Sequence, residues 1–155
     1  RHFFHWRRAV RVHGDVARNT GVQCVDDGLR NLPGAKASGV GHRDEIALVK
    51  ADLEHGARTL VISYGTSAGS MREAAAQARA RGMRVSTLTI HSLWPVPDKQ
   101  IMVALTGIER VVVAELNQGQ YRREIERLIG NRELIGVTRV DGELITPEEI
   151  VSVMR

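Results

Sequence analysis

Residues 59–90, TLVISYGTSAGSMREAAAQARARGMRVSTLTI, read as strand, tight turn, helix and strand. Thr59, Leu60, Val61, Ile62, Ser63 and Tyr64 are mostly apolar and rich in β-branching, the composition of a strand covered on both faces of a parallel sheet. Gly65 allows a sharp turn, and Thr66 or Ser67 supplies a hydroxyl to cap the helix that follows. Met71, Ala74, Ala75 and Ala78 recur at helical spacing as a buried face, with Arg72, Glu73, Gln77 and Arg79 turned outward. Gly82 comes just after a basic last turn of Arg79 and Arg81, as a C-terminal cap. Val85, Leu88 and Ile90 return the chain to the sheet. Strand, crossover helix and parallel strand make one right-handed unit to which the rest of the chain adds.

Downstream, residues 91–98 leave the second strand as a loop stiffened by Pro95 and Pro97, and Asp98 is placed to cap the next helix. Ile101, Met102 and Leu105 form that helix's buried side, and Gly107 closes it. Residues 110–115, RVVVAE, are a third strand, and residues 116–120 are its exit turn. A helix over 121–129 points Ile125, Leu128 and Ile129 inward. Residues 134–140 form a fourth strand, less apolar and so nearer an edge. Thr146, Pro147, Glu148 and Glu149 spell a capping box with proline at the first helical position, opening a helix to about Met154. Upstream, residues 43–55, RDEIALVKADLEH, read as a helix with Ile46, Val49 and Leu53 on one face and Gly56 at its end. The order is an α/β fold, doubly wound, with helices on both sides of an open, mostly parallel sheet.

Residues 1–42 divide from this domain of residues 43–155 as an irregular, basic N-terminal extension or linker. Turn signals fall at Thr20-Gly21, Asp26-Asp27-Gly28 and Pro33-Gly34, with one short strand expected near Gly21 to Val25. Phe3, Phe4 and Trp6 sit among Arg and His and need a partner surface to cover them. The formal net charge of +4 is held by Arg1, Arg7, Arg8, Arg11 and Arg18 against Asp15, which leaves the remainder balanced. A solvated or covered end fits that distribution better than a nucleic-acid-binding face.

The 155 residues, 43% of them hydrophobic, suffice for one domain with a real core. No run approaches the roughly 20 apolar residues that span a bilayer, so no membrane partner is expected. The first residues lack the pattern of a secretory signal. A chain that opens on Arg1 is expected to be the C-terminal part of something longer. Cys24, the single cysteine, excludes an internal disulfide and a cysteine-ligated cluster within this segment, and it fits a reducing cytoplasm.

Ligands of such sheets gather at the carboxyl ends of the strands, where three turns lie. Gly65, Thr66 and Ser67 offer backbone amides at a helix N-terminus, an arrangement that suits an anion. The Gly-Lys-Ser/Thr ending of a phosphate loop and the G-x-G start of a dinucleotide fingerprint are both missing. Helix capping and a phosphate- or nucleotide-binding module remain two readings of that turn. His91 and Ser92 are adjacent on leaving a strand and point to opposite sides, a poor geometry for a base and a nucleophile. The histidines at 2, 5 and 13 lack the paired spacing of a metal site. Glu115, followed by Asn117 and Gln120, is the best polar cluster, able to anchor neighbouring backbone or to reach across a subunit boundary. No carboxylate pair is placed for acid–base work.

Ser63-Tyr64-Gly65-Thr66, then Leu93-Trp94-Pro95-Val96-Pro97, then residues 113–120, VAELNQGQ, then residues 140–150, VDGELITPEEI, occur in an order and spacing that resemble one family. It is the C-terminal, transketolase-C-like domain of the alpha subunit of 2-oxoacid:ferredoxin oxidoreductases, most similar to the 2-oxoglutarate branch. Val96 departs from the family's usual Phe, and the resemblance covers residues 43–155. It implies a three-layer α/β/α domain in a cytoplasmic hetero-oligomer. That enzyme decarboxylates a 2-oxoacid on thiamine diphosphate with Mg, passes electrons through iron–sulfur clusters to ferredoxin or another acceptor, and makes an acyl-CoA from CoA. The resemblance implies that a beta subunit holds the diphosphate and metal, with the rest of the alpha subunit completing the cleft. This segment would then carry no catalytic residue, no metal and no cofactor. Trp94, Pro95, Pro97, Glu115, Asn117, Gly119 and Gln120 would serve structure and subunit interface.

Overall fold

The computed structural model describes a strand at residues 21–23 and the continuous chain over residues 47–154. The turns and aromatic residues expected in the first 42 residues, the histidines there, Cys24 and residues 43–46 lie outside the described residues. The elements are β1 (Gly21–Gln23), β2 (Val49–Asp52), β3 (Thr59–Tyr64), α1 (Ser67–Ala80), β4 (Val85–Ile90), α2 (Asp98–Ala104), β5 (Arg110–Glu115), α3 (Gln120–Ile129), β6 (Glu133–Thr138) and α4 (Pro147–Ser152). They build one six-stranded sheet in the order β1-β2-β4-β3-β5-β6. The block β4-β3-β5-β6 is parallel, while β1 and β2 run antiparallel along one side.

Two apolar layers flank the sheet. Leu60 and Ile62 of β3, Leu88 and Ile90 of β4, and Val111 and Val113 of β5 face α2 and α3, meeting Ile101, Leu105, Tyr121, Ile125 and Ile129. Val61, Val85, Val112 and Ala114 face the other way, onto Met71, Ala74, Ala75 and Ala78 of α1 and Ile150 and Val151 of α4. Strands apolar on both faces are therefore sandwiched by helices, giving the three-layer α/β/α arrangement expected from their composition. β6, half-exposed along its length, is the edge.

Local signals hold at the ends of α1 and α4. Gly82 adopts φ +82°, its N–H donates to Arg79 O at 2.9 Å, and Met83 N–H donates to Ala78 O at 3.1 Å, a Schellman closure. Thr146 and Glu149 make both bonds of the capping box, with Pro147 next.

Five expectations are corrected. The helix expected over 43–55 is, in its described part, the strand β2. Ala47, Val49 and Ala51 are buried while Leu48 and Lys50 are exposed, a period of two. Val49 pairs with Ile90 and Asp52 with Thr87. So short an apolar run fits either period, and the open hydrogen-bonding edge of β4 decides it. Neither Thr66 nor Ser67 caps α1: Thr66 is itself in the helical region and its side chain makes no capping bond. Asp98 does not cap α2, because its two carboxylate oxygens accept from Arg127 at 2.9 and 2.5 Å. Met102 is exposed, and Ala104 takes the buried place beside Ile101 and Leu105. Arg79 turns in rather than out. It donates to Asp52 at 2.7 Å, to Glu54 at 3.1 Å and to Val85 O, which pins β2 to α1 and β4.

Candidate functional site: the crevice between β3 and β5

β3 and β5 are neighbours, yet β3 leads into α1 on one face of the sheet and β5 into α3 on the other. Diverging connections open a crevice at the carboxyl ends of the two strands, the place where α/β sheets take ligands. Here the crevice is filled from within. Tyr64 ends β3 and Glu115 ends β5. The Glu115 side chain is fully buried, and it accepts from the Tyr64 hydroxyl at 3.0 Å, from Tyr121 N–H at 2.9 Å and from Arg122 N–H at 2.9 Å. Asn117 donates to the Tyr64 oxygen at 2.5 Å and accepts from Gly119 N–H at 2.8 Å and Gln120 N–H at 3.0 Å.

The first four amides of a helix lack partners inside it. In α3 these belong to Gly119, Gln120, Tyr121 and Arg122, and two side chains from the tail of β5 answer all four. A carboxylate at this end also meets the positive pole of the helix. Gly119, at φ +83°, makes the return possible where another residue would be strained. Tyr121 lies edge-on to Tyr64, ring centroids 5.3 Å apart and planes at 66°. Burial first, then the charge and the hydrogen bond of Glu115, push the Tyr64 phenol up to about 12, with the Asn117 contact pulling the other way. Burial, followed by the charge of Asp98, raises the Tyr121 phenol further still.

The Gly65, Thr66 and Ser67 turn stands beside this network. Gly65 and Thr66 are exposed and Ser67 is buried. The next two amides, of Ala68 and Gly69, are spent on Gly65 O at 3.3 Å and Thr66 O at 3.0 Å. Trp94 is 76% exposed on the loop after β4, Pro95 is half-buried and Pro97 is buried. Beyond β5 and β6 an open groove of about 560 Å³ is lined by Asn117, Gln118, Thr138, Arg139, Val140, Asp141 and Glu149. Arg139 is held there by Glu149 at 2.5 Å. The structure thus brings Glu115, Asn117 and Gly119 together, leaves Gln120 exposed at their margin, and sets Trp94 apart on the rim. Tyr64 was not singled out by sequence reasoning as part of this cluster. The available signal was that adjacent apolar strands both end in a polar tip.

The two ends of the sheet differ. Among the described residues the exposed large apolar side chains are Leu48, Leu93, Trp94, Met102, Leu116, Val140 and Leu144. All but Met102 belong to segments that abut the carboxyl ends of the parallel strands. Leu48 joins them because β2 is antiparallel and its first residue lies opposite Ile90. The amino ends carry ion pairs instead, Arg58 with Glu109 and Arg110 with Glu133.

Residues 57–150 match the family described as pyruvate:ferredoxin oxidoreductase core domain II. The chain belongs to that family. The 2-oxoglutarate synthase subunit KorA of Methanothermobacter thermautotrophicus is 34% identical over 114 residues, which are 73% of this chain and 30% of that subunit. Among solved structures, the 2-oxoglutarate:ferredoxin oxidoreductase from Magnetococcus marinus, with 2-oxoglutarate, coenzyme A and succinyl-CoA bound, is similar with TM-score 0.61 and 29% identity. That likeness covers 67% of this chain and 18% of the solved one. A split-gene transketolase, described as an inactive beta4 tetramer, shares the fold with TM-score 0.55 at 19% identity, over 67% of this chain and 39% of its own. This core domain II therefore spans about a third of the curated relative's length.

Proposed function

We propose that the chain is the core domain II of an alpha-type subunit in a 2-oxoacid:ferredoxin oxidoreductase of the 2-oxoglutarate kind, and that it assembles and shapes the subunit interface. The names of its relatives and the bound molecules of the Magnetococcus marinus enzyme support the class and the acid. In this reading the enzyme works in the cytoplasm, converting a 2-oxoacid and CoA to an acyl-CoA and passing the electrons through iron–sulfur clusters to ferredoxin. Thiamine diphosphate, when bound with Mg, supplies the carbanion that lets the 2-oxoacid lose carbon dioxide.

The described residues do not fit that cofactor. The strand-end crevice is filled by Tyr64, Glu115 and Asn117, and the amides at the start of α3 are all engaged. No group of three or more His, Cys, Asp or Glu converges among the described residues. We therefore assign diphosphate and metal to a beta subunit. The division at residues 42 and 43 belongs to this reading too, with β1 tying the N-terminal extension to the sheet edge.

The observation that carries the interface role is the gathering of Leu48, Leu93, Trp94, Leu116, Val140 and Leu144 at one end of the sheet. A one-sided apolar rim marks a contact surface. A free-standing phosphate- or nucleotide-binding module at Gly65, Thr66 and Ser67 draws less support, since the Ala68 and Gly69 amides are already engaged. The test is to purify the subunit from its native source and identify what accompanies it. A thiamine-diphosphate-binding subunit in fixed ratio, with CoA-dependent oxidation of 2-oxoglutarate by the pair, is the expected result. Purification as a lone polypeptide that turns over a 2-oxoacid unaided would overturn the proposal.

A further inference from the structure

The geometry points to Glu115 as a positioning residue that holds the 116–120 turn in the shape on which the beta subunit docks. This inference rests on the interface reading above and goes beyond it by naming the group that sets the interface. The Glu115 carboxylate is fully buried and has no direct reach to a partner. What it holds is exposed. Leu116 follows it immediately at 37% exposure, and Gln118 and Gln120 are exposed beside it.

Four bonds make this turn a single rigid piece. The Glu115 oxygens fix the start of α3 through Tyr121 N–H and Arg122 N–H at 2.9 Å each. Tyr64 joins the turn to the end of β3 through Glu115 at 3.0 Å and Asn117 at 2.5 Å. The backbone between these anchors is short and includes Gly119 at φ +83°, so its path is set by them. A contact surface ordered before binding avoids the entropy cost of ordering it on association. Loss of the carboxylate frees the turn without removing any side chain from the surface.

The test uses the full subunit and its co-purified beta subunit, dissociated and retitrated. Glu115→Gln keeps the size of the side chain but sets an amide against two amide donors. Ile125→Val is the control: it removes one fully buried methyl group from the same helix and leaves the turn alone. Glu115→Gln is expected to weaken subunit association at least tenfold, and Ile125→Val less than threefold, with both subunits folded by circular dichroism. Should Glu115→Gln fail to fold, Tyr64→Phe carries the test, since it keeps both bonds to α3 and loses only the tie to β3. It is expected to weaken association at least threefold. Equal association constants for the turn variant and the control would overturn the inference while leaving the interface reading in place. A wild-type subunit that binds no beta subunit would overturn both.

Discussion

At the scale of single residues, the buried polar core of the crevice decides how the molecule responds to alkali. The protein has two tyrosines, and both phenols are raised, Tyr64 to about 12 and Tyr121 higher. In the unfolded chain each would ionise near 10. Above that pH the unfolded state sheds protons that the native state keeps, so stability falls as pH rises. It should be flat up to about pH 10 and decline between there and about 12, where Tyr64 ionises in the folded state. A phenolate absorbance titration should show neither tyrosine ionising at its usual pH until the fold is lost, and both near 10 in denaturant. Glu115 and Asn117 were legible as a polar cluster at a strand end. Their partners were not, because sequence shows that Glu115 ends an apolar run but not that Tyr64 ends the next strand over. Adjacency of β3 and β5 is a product of the crossover through α1 and β4, invisible in local pattern.

At the scale of elements, the long periodic pieces declared themselves and the caps did not. β3, α1, β4, β5 and the capping box of α4 follow from apolar runs, 3.6-residue spacing and turn residues, all local. Three ends were misjudged for one reason. Thr66, Ser67 and Asp98 are all suited to capping, but the first two lie in a tight helical entry and the third is drawn to Arg127, 29 residues away. α3 is capped from behind, by the tail of the strand before it, a device no N-cap rule anticipates. β2 was lost to an ambiguous period and won by pairing with β4. Gly69 offers a check on α1. It lies inside the helix, and a methyl group added there meets only the Arg72 guanidinium at 4.0 Å. Gly69→Ala should therefore stabilise the chain by about 0.5–1 kcal/mol. Gly82→Ala, at φ +82°, should destabilise it by about 1 kcal/mol. Urea midpoints of the two variants against wild type measure both.

At the scale of the whole molecule, the sheet has a charged end and a greasy end. The fold class was legible because its strands are apolar throughout and alternate with helices. The polarity of the ends was not, since it depends on which loops share a rim. Trp94 is the largest side chain on that rim and the most exposed of its apolar residues. Aromatic anchors of this kind carry much of the energy of an interface. Trp94→Ala should leave the chain's own stability within about 0.5 kcal/mol. It should weaken beta-subunit binding by about 2 kcal/mol or more, read by titration calorimetry. The cap of α3 also dictates where foreign sequence can be grafted. Residues 117 to 120 are already fully committed to one another, so even two added residues there would strip the helix of its start. The hairpin bend at Gly142 is exposed and held only by Glu143 N–H to Asp141 at 3.0 Å. An epitope spliced after Gly142 should leave a soluble, cooperatively melting product, whereas the same graft after Asn117 should yield aggregate.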